Sequence, residues 1–236
     1  AWVLWSKQAG GSHEPFDWRL AQWSLHVPMI RALFGQLSQP DRLGSLGLEE
    51  VMGWAGEALN RVSRDRFFER FEEEHAVQYF YEPFLAAFDP ELRKDLGVWY
   101  TPPEIVKYMV ARVDTVLREE LDIADGLADP NVYVLDPCCG TGAYLVEVLR
   151  SIHETLRRNL DDDLVPDYVK RAAIDRVFGF EILPAPFVVA HLQLGLLLRN
   201  LGAPLSDEHG ERAGVYLTNA LTGWEPPREP QARLAF

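Results

Sequence analysis

Apolar residues recur at three- and four-residue spacings from Asp17 to Phe88, with few strictly alternating runs. That period belongs to amphipathic helices. LEEVMGWAGEALNRV and RDRFFERFEEEHAVQYFYEPFLAAF carry it most clearly and each predicts a helix, while QPDRLGSLG reads as a loop. Residues 1–98 are therefore expected to form an α-helical module. Trp18, Trp23 and Trp54 fall at helical spacing, which favours core packing over base stacking. The acidic run Glu72 to Glu74 reads as a solvated helix face.

After Gly97 strand-like runs alternate with helical ones, the texture of an α/β layer with a mostly parallel sheet, so residues 99–236 form a second unit. Asn131–Asp136 predicts the first strand. Ala143–Leu156 predicts a helix with Leu145, Leu149, Ile152 and Leu156 on one face. Arg176–Ile182 predicts the second strand, followed by a very apolar helix to about Asn200 that Gly202 is placed to stop. Gly214–Asn219 predicts the third strand. DDDLVPD is expected to be a loop, and because consecutive acids seldom converge on one ion, Asp161, Asp162 and Asp163 are not taken as a metal site.

The 236 residues, 47% hydrophobic and 25% charged, allow one large domain or a domain with an appendage. Two cysteines occur, Cys138 and Cys139, and as neighbours they fit neither a disulfide framework nor a zinc site. With no partner cysteine or nearby histidine they read as small residues packing a turn, in a reducing, cytoplasmic setting. Pro184–Leu198, broken by His191 and Gln193, is shorter than the roughly 18–20 residues of a membrane span, so no membrane partner is expected. His191 and His153 fall on helices and read as structural. A net charge of −13 is the reverse of a self-sufficient nucleic-acid binder's footprint. Any grip on double-stranded DNA would then come mostly from segments outside this chain. The opening at Ala1 and the ending EPPREPQARLAF lead us to expect an excised piece.

Chemistry concentrates at VLDPCCGTGAYLVEVL, Val134 to Leu149. A strand ending in Asp136 that turns through Gly140 and Gly142 into a helix sets backbone amides and a helix N-terminus beside one carboxylate, which makes a ligand cradle. A phosphate-binding loop would need a lysine and a hydroxyl after the last glycine, where Ala143 and Tyr144 stand. A dinucleotide fingerprint would need a small residue at Leu145 and an acid closer than Glu181. Asp136 would repel a pyrophosphate and favour a ligand carrying an ammonium group, as S-adenosyl-L-methionine does. A ligand-free strand-to-helix turn is the plainer alternative.

DPCCGTG at Asp136–Gly142 matches the Asp-Pro-x-x-Gly-x-Gly motif and resembles the adenine-specific DNA methyltransferases. Upstream, GVWYTPPEIVKYMV resembles the Thr-Pro-Pro segment that closes the cofactor pocket in that family. Locally, Thr101 is expected as N-cap, Pro102 as the first helical residue and Glu104 as partner in a capping box, with Ile105, Met109, Val113 and Val116 as the buried face. The resemblance implies a Rossmann-like S-adenosylmethionine-binding sheet. It gives Tyr100, Thr101 and Pro102 to the pocket wall, and Asp136, Pro137, Cys138, Gly140, Thr141 and Gly142 to the amino-acid end. Glu181, followed by Ile182, takes the ribose, and Asn219 of GVYLTNAL the adenine.

The same family presents its target base through Asn-Pro-Pro followed by Tyr or Phe. Neither TPPE nor EPPR supplies that tetrapeptide, so no catalytic residue is assigned here, and the piece is expected to bind cofactor without methylating on its own. The stretch HAVQYFYEPFLAAFDPELRKDLGVWYTPPEIVKYMV further resembles the methylase region of type ISP single-chain restriction-modification enzymes. That likeness implies a parent polypeptide with a recognition domain and helicase or nuclease parts, within a restriction or phage-defence system. A methyltransferase for protein or a small molecule, a docking module without cofactor, and a nicotinamide-dependent oxidoreductase are the rivals.

Overall fold

The computed structural model describes residues 1–8, 14–23, 25, 27–69, 101–206 and 208–223. The N-terminal part is helical: α1 Trp2–Gln8, a 3-10 turn Trp18–Trp23, α2 Pro28–Leu37, α3 Pro40–Leu46, α4 Glu49–Asn60 and α5 Arg64–Phe68. α3 corrects the expected loop QPDRLGSLG. Pro40 opens it, Asp41 sits in its first turn, and Gly47 ends it in the left-handed conformation with φ 64°. These start and stop signals outweigh the turn-rich composition. The rest of the helix expected from Arg64 to Phe88, with Glu72–Glu74, lies outside the described residues.

Trp2, Phe16, Trp18, Ala21 and Leu43 form the core of this part. Asn60 ties the preceding loop to α4 by accepting the Phe16 amide at 2.7 Å and donating to the Phe16 carbonyl at 2.9 Å. Trp18 is buried as expected, but Trp54 is 61% exposed, which corrects its placement in the core. The side chain of Trp23 lies outside the described set.

The C-terminal part contains α6 Pro103–Glu119, β1 Val134–Asp136, α7 Ala143–Asn159, α8 Val165–Asp175, β2 Val177–Glu181, α9 Pro184–Asn200 and β3 Gly214–Leu217. The strands form a parallel sheet in the order β1-β2-β3, with Asp136 level with Gly179 and Glu181 level with Leu217. α7, α8 and α9 all pack against β2. This covers the face that carries Val177, Gly179, Glu181 and Val215. On the other face Tyr133, Phe178 and Tyr216 form a row with ring centroids 6.4 Å apart, and among the described residues no helix covers it.

Leu145, Leu149, Ile152 and Leu156 are buried on α7 as the spacing predicts. Gly202 terminates α9 with φ 76°, and the Ala203 amide donates back to Leu198. Each strand is shorter than expected. DDDLVPD is not simply a loop, since α8 begins inside it at Val165, with Pro166 in the first turn.

α6 also departs from expectation. Pro102 is its N-cap and no side chain caps it, so the Thr101–Glu104 capping box does not form. Val106 and Val110 face the core, while Ile105, Met109 and Val113 are exposed. The inward face carries Val106, Val110 and Leu117, and on it Asp114 accepts the Leu127 amide at 2.8 Å and pairs with Arg118 at 2.7 Å, tying the helix to the turn Gly126–Ala128. Of two adjacent apolar stripes, the one that Asp114 ties down is the one that packs.

Candidate functional site

β1 delivers Asp136 to the tip of the sheet, where the chain reverses through Pro137–Gly142 into α7. The Cys138 amide donates to Asp136 Oδ1 at 3.1 Å and the Cys139 amide to the Phe180 carbonyl at 2.9 Å. The Gly140 amide donates to Glu181 Oε2 at 2.9 Å, and the Gly142 amide to the Cys139 carbonyl at 2.8 Å. Both glycines hold left-handed backbone, φ 55° at Gly140 and 89° at Gly142. A Cβ on Gly142 would lie 3.2 Å from that of Ala190, whereas one on Gly140 would meet nothing within 4 Å. Space is therefore open above Gly140 and closed beneath Gly142. Gly179 lets the turn settle on β2, because a Cβ there would come within 2.6 Å of Leu145 and 2.9 Å of Cys139.

α7 starts from Gly142 with no side-chain cap and no acid in its first turn. Its leading N–H groups and the positive end of its dipole thus remain available to an anion. Among the described residues the Thr141 amide also meets no acceptor.

Two carboxylates flank these donors. Burial raises the pKa of Asp136; the Cys138 amide opposes the rise, and the negative charge of Glu181 adds to it. Glu181 is 8% exposed and anchored at both oxygens, with Oε1 accepting the Leu183 amide at 2.8 Å. Each oxygen keeps a lone pair for a further donor. Burial, with Asp136 and Glu181 nearby, pushes the Cys139 thiol up to about 12, which makes it a packing group rather than a nucleophile. Cys138 is exposed.

The structure thus brings together Asp136, Pro137, Cys138, Gly140, Thr141, Gly142 and Glu181, with the exposed Ile182 next in chain. Asn219 follows β3, and the Thr218 amide before it donates to the Glu181 carbonyl at 2.8 Å. Asn219 Oδ1 accepts the Leu221 amide at 2.9 Å and the Thr222 amide at 3.3 Å. Its acceptor is thereby used, leaving the Nδ2 donor. Thr101 is half-buried and Pro102 exposed, and no hydrogen bond joins them to the turn among the described residues. Tyr100 lies outside those residues.

Sequence reasoning missed Gln193, whose Nε2 donates to the Thr141 carbonyl at 3.0 Å. Its signal was a polar residue in an otherwise greasy helix. His191 is buried and meets the Val215 carbonyl at 3.3 Å, and burial lowers its pKa, consistent with a structural role. No three metal-ligating side chains cluster, and no helix is long and apolar enough to cross a membrane, among the described residues.

Residues 72–210, more than half of the chain, match the N-6 DNA methylase family, and the chain belongs to it. It is 22% identical over 158 residues to the methylase subunit of the Escherichia coli type I restriction enzyme EcoEI, covering 67% of this chain and 26% of that protein. The fold is similar to that of LlaBIII, an ATP-dependent type ISP restriction-modification enzyme bound to DNA, with a TM-score of 0.58 and 18% identity, over 92% of this chain and 14% of that one. It is likewise similar to the DrdV–DNA complex, with a TM-score of 0.55 and 18% identity, over 93% of this chain and 20% of that one. The chain therefore spans about a quarter or less of the length of these relatives.

Proposed function

We propose that residues 99–236 are the S-adenosylmethionine-binding part of a Rossmann-like adenine-specific DNA methyltransferase. Residues 1–98 are its helical, coupler-like module. The parent polypeptide acts in a restriction-modification or phage-defence system in the cytoplasm and transfers methyl to the exocyclic amine of adenine in double-stranded DNA. The row of Tyr133, Phe178 and Tyr216, which no helix among the described residues covers, supports packing against further parts of that parent, since parallel sheets are ordinarily covered on both faces.

The observation that carries this reading is a polarised cradle. Asp136 and Glu181 supply negative charge at the glycine turn, and the Thr141 amide and the uncapped N-terminus of α7 supply donors in the same turn. A zwitterion fits such a site, because an ammonium relieves the repulsion between the carboxylates while a carboxylate takes the amides. A diphosphate would meet Asp136 directly.

S-adenosylmethionine, when bound, supplies an electrophilic methyl on sulfur. Asp136 holds the ammonium, and the Thr141 amide with the first turn of α7 holds the carboxylate. Glu181 accepts the ribose hydroxyls with its remaining lone pairs. Asn219 donates from Nδ2 to an adenine ring nitrogen, since its oxygen is committed to its own turn. Tyr100, Thr101 and Pro102 line the pocket. These residues orient the methyl and exclude water, so their contribution is positional and electrostatic.

Calorimetry with S-adenosylhomocysteine tests the reading. Micromolar binding (about −8 kcal/mol) that disappears in Asp136→Ala and Glu181→Ala supports it, and equal or tighter binding of NAD overturns it.

A further inference from the structure

Gln193 is 9% exposed, and its neighbours on the inward side of α9, Ala190, Leu194, Leu197 and Leu198, are apolar. A buried amide in such company is costly unless its hydrogen bonds are made. Its Nε2 donates to the Thr141 carbonyl at 3.0 Å. About one helical turn earlier, Ala190 Cβ lies 3.2 Å from where a Gly142 Cβ would stand. α9 therefore meets the glycine turn twice, by packing under Gly142 and by a hydrogen bond at Thr141.

The consequence follows from counting peptide planes. A peptide unit is rigid, so fixing its carbonyl and its N–H fixes its orientation. In the unit joining Thr141 and Gly142, the carbonyl is held by Gln193 and the N–H by the Cys139 carbonyl. In the unit joining Cys139 and Gly140, the carbonyl accepts that same Gly142 amide and the N–H is held by Glu181. Between them lies the unit joining Gly140 and Thr141, whose N–H has no acceptor among the described residues. The two locked planes flank and aim the Gly140–Thr141 unit, whose carbonyl meets, among the described residues, only the Cys139 thiol, at 3.8 Å, and the plane between Thr141 and Gly142 also sets the direction in which α7 begins.

We propose that Gln193 is a positioning residue for ligand binding: by locking the peptide after Thr141, it aims the Thr141 amide and the first turn of α7 at the anionic end of the ligand. The inference rests on the reading of the site as a cradle for S-adenosylmethionine. It predicts a selective defect. Losing Gln193 weakens ligands that carry the amino-acid carboxylate and spares those that carry the nucleoside alone.

The test compares the whole chain with Gln193→Met, which keeps the volume and removes the donor, using S-adenosylhomocysteine and 5′-methylthioadenosine. We expect about tenfold weaker binding of the first, the worth of one aimed hydrogen bond, and a change of less than about twofold for the second. Amide hydrogen exchange at Gly142, read by NMR without ligand, accelerates about tenfold as its peptide is released. Gln193→Leu, which also removes the donor at similar volume, gives the same selective loss and replaces the methionine variant if that one fails to fold. Equal weakening of both ligands, unchanged affinity for the first, or unchanged exchange at Gly142 overturns the inference. If the wild-type chain binds neither ligand, the cofactor reading falls together with the ligand role of Gln193; if it binds both but the variants show no contrast, only this inference falls.

Discussion

Glu181 and Gly140, 41 residues apart in the chain, are joined by a 2.9 Å hydrogen bond from the glycine amide to the buried carboxylate. The acid at the tip of β2 is thus a structural clamp on the glycine turn as well as a candidate ligand contact. Glu181→Gln keeps the shape but gives one oxygen to satisfy two amides, while its NH2 group faces the other donor. It should destabilise the chain by about 1–3 kcal/mol, the cost of a buried unsatisfied donor. Urea denaturation measures this, and wild-type stability in the variant would show that the clamp is idle.

Asp136 carries a linked prediction about pH. Its native pKa is raised above the ordinary 3.8, chiefly by burial. From that ordinary value up to the raised one, the native state holds the proton more tightly than the unfolded chain does. Stability therefore falls as pH rises through this window and stays lower above it. Asp136→Asn keeps the acceptor for Cys138 and has no charge to bury. Its melting temperature at neutral pH should exceed that of wild type, and the gain should vanish below the window. A gain independent of pH would point to packing instead.

The glycines of the turn should not be equivalent. Gly140→Ala introduces a strained φ with free space around the new methyl, at a cost of about 1–2 kcal/mol. Gly142→Ala adds a contact at 3.2 Å with Ala190 to a similar strain, so it should cost more. Thermal unfolding of the two variants orders them, and the reverse order would contradict the description of α9 as the floor of the turn.

Alkylation separates the adjacent cysteines. Cys138 is exposed, whereas Cys139 is buried with its thiol pushed up to about 12. Iodoacetamide near pH 8 should label Cys138 in the native chain and Cys139 only after unfolding, as mass spectrometry of the peptide would read. Native labelling of Cys139 would mean that the turn opens.

The glycine turn, the α7 face and the stop at Gly202 were legible because each rests on local rules: a required φ, a helical period, a C-cap. α3 carried its signals too, in Pro40, Asp41 and Gly47, but they were masked by a composition typical of loops. The orientation of α6 was not legible, because two neighbouring apolar stripes share the helix, and the one that packs also carries Asp114, whose partner Leu127 lies in another element. For the same reason Gln193 looked only like an interruption of an apolar run. The dual attachment of Glu181 was hidden by distance, since its partner Gly140 lies on another strand's turn.

The central claim is that a carboxylate beside free amides selects a zwitterionic nucleoside over a polyanion. A crystal of the chain soaked in S-adenosylmethionine, with a parallel soak in NAD, addresses it directly. The account predicts the ammonium against Asp136, the carboxylate at the N-terminus of α7 and no NAD. A vacant turn in the first crystal, or a pyrophosphate on α7 in the second, would contradict it.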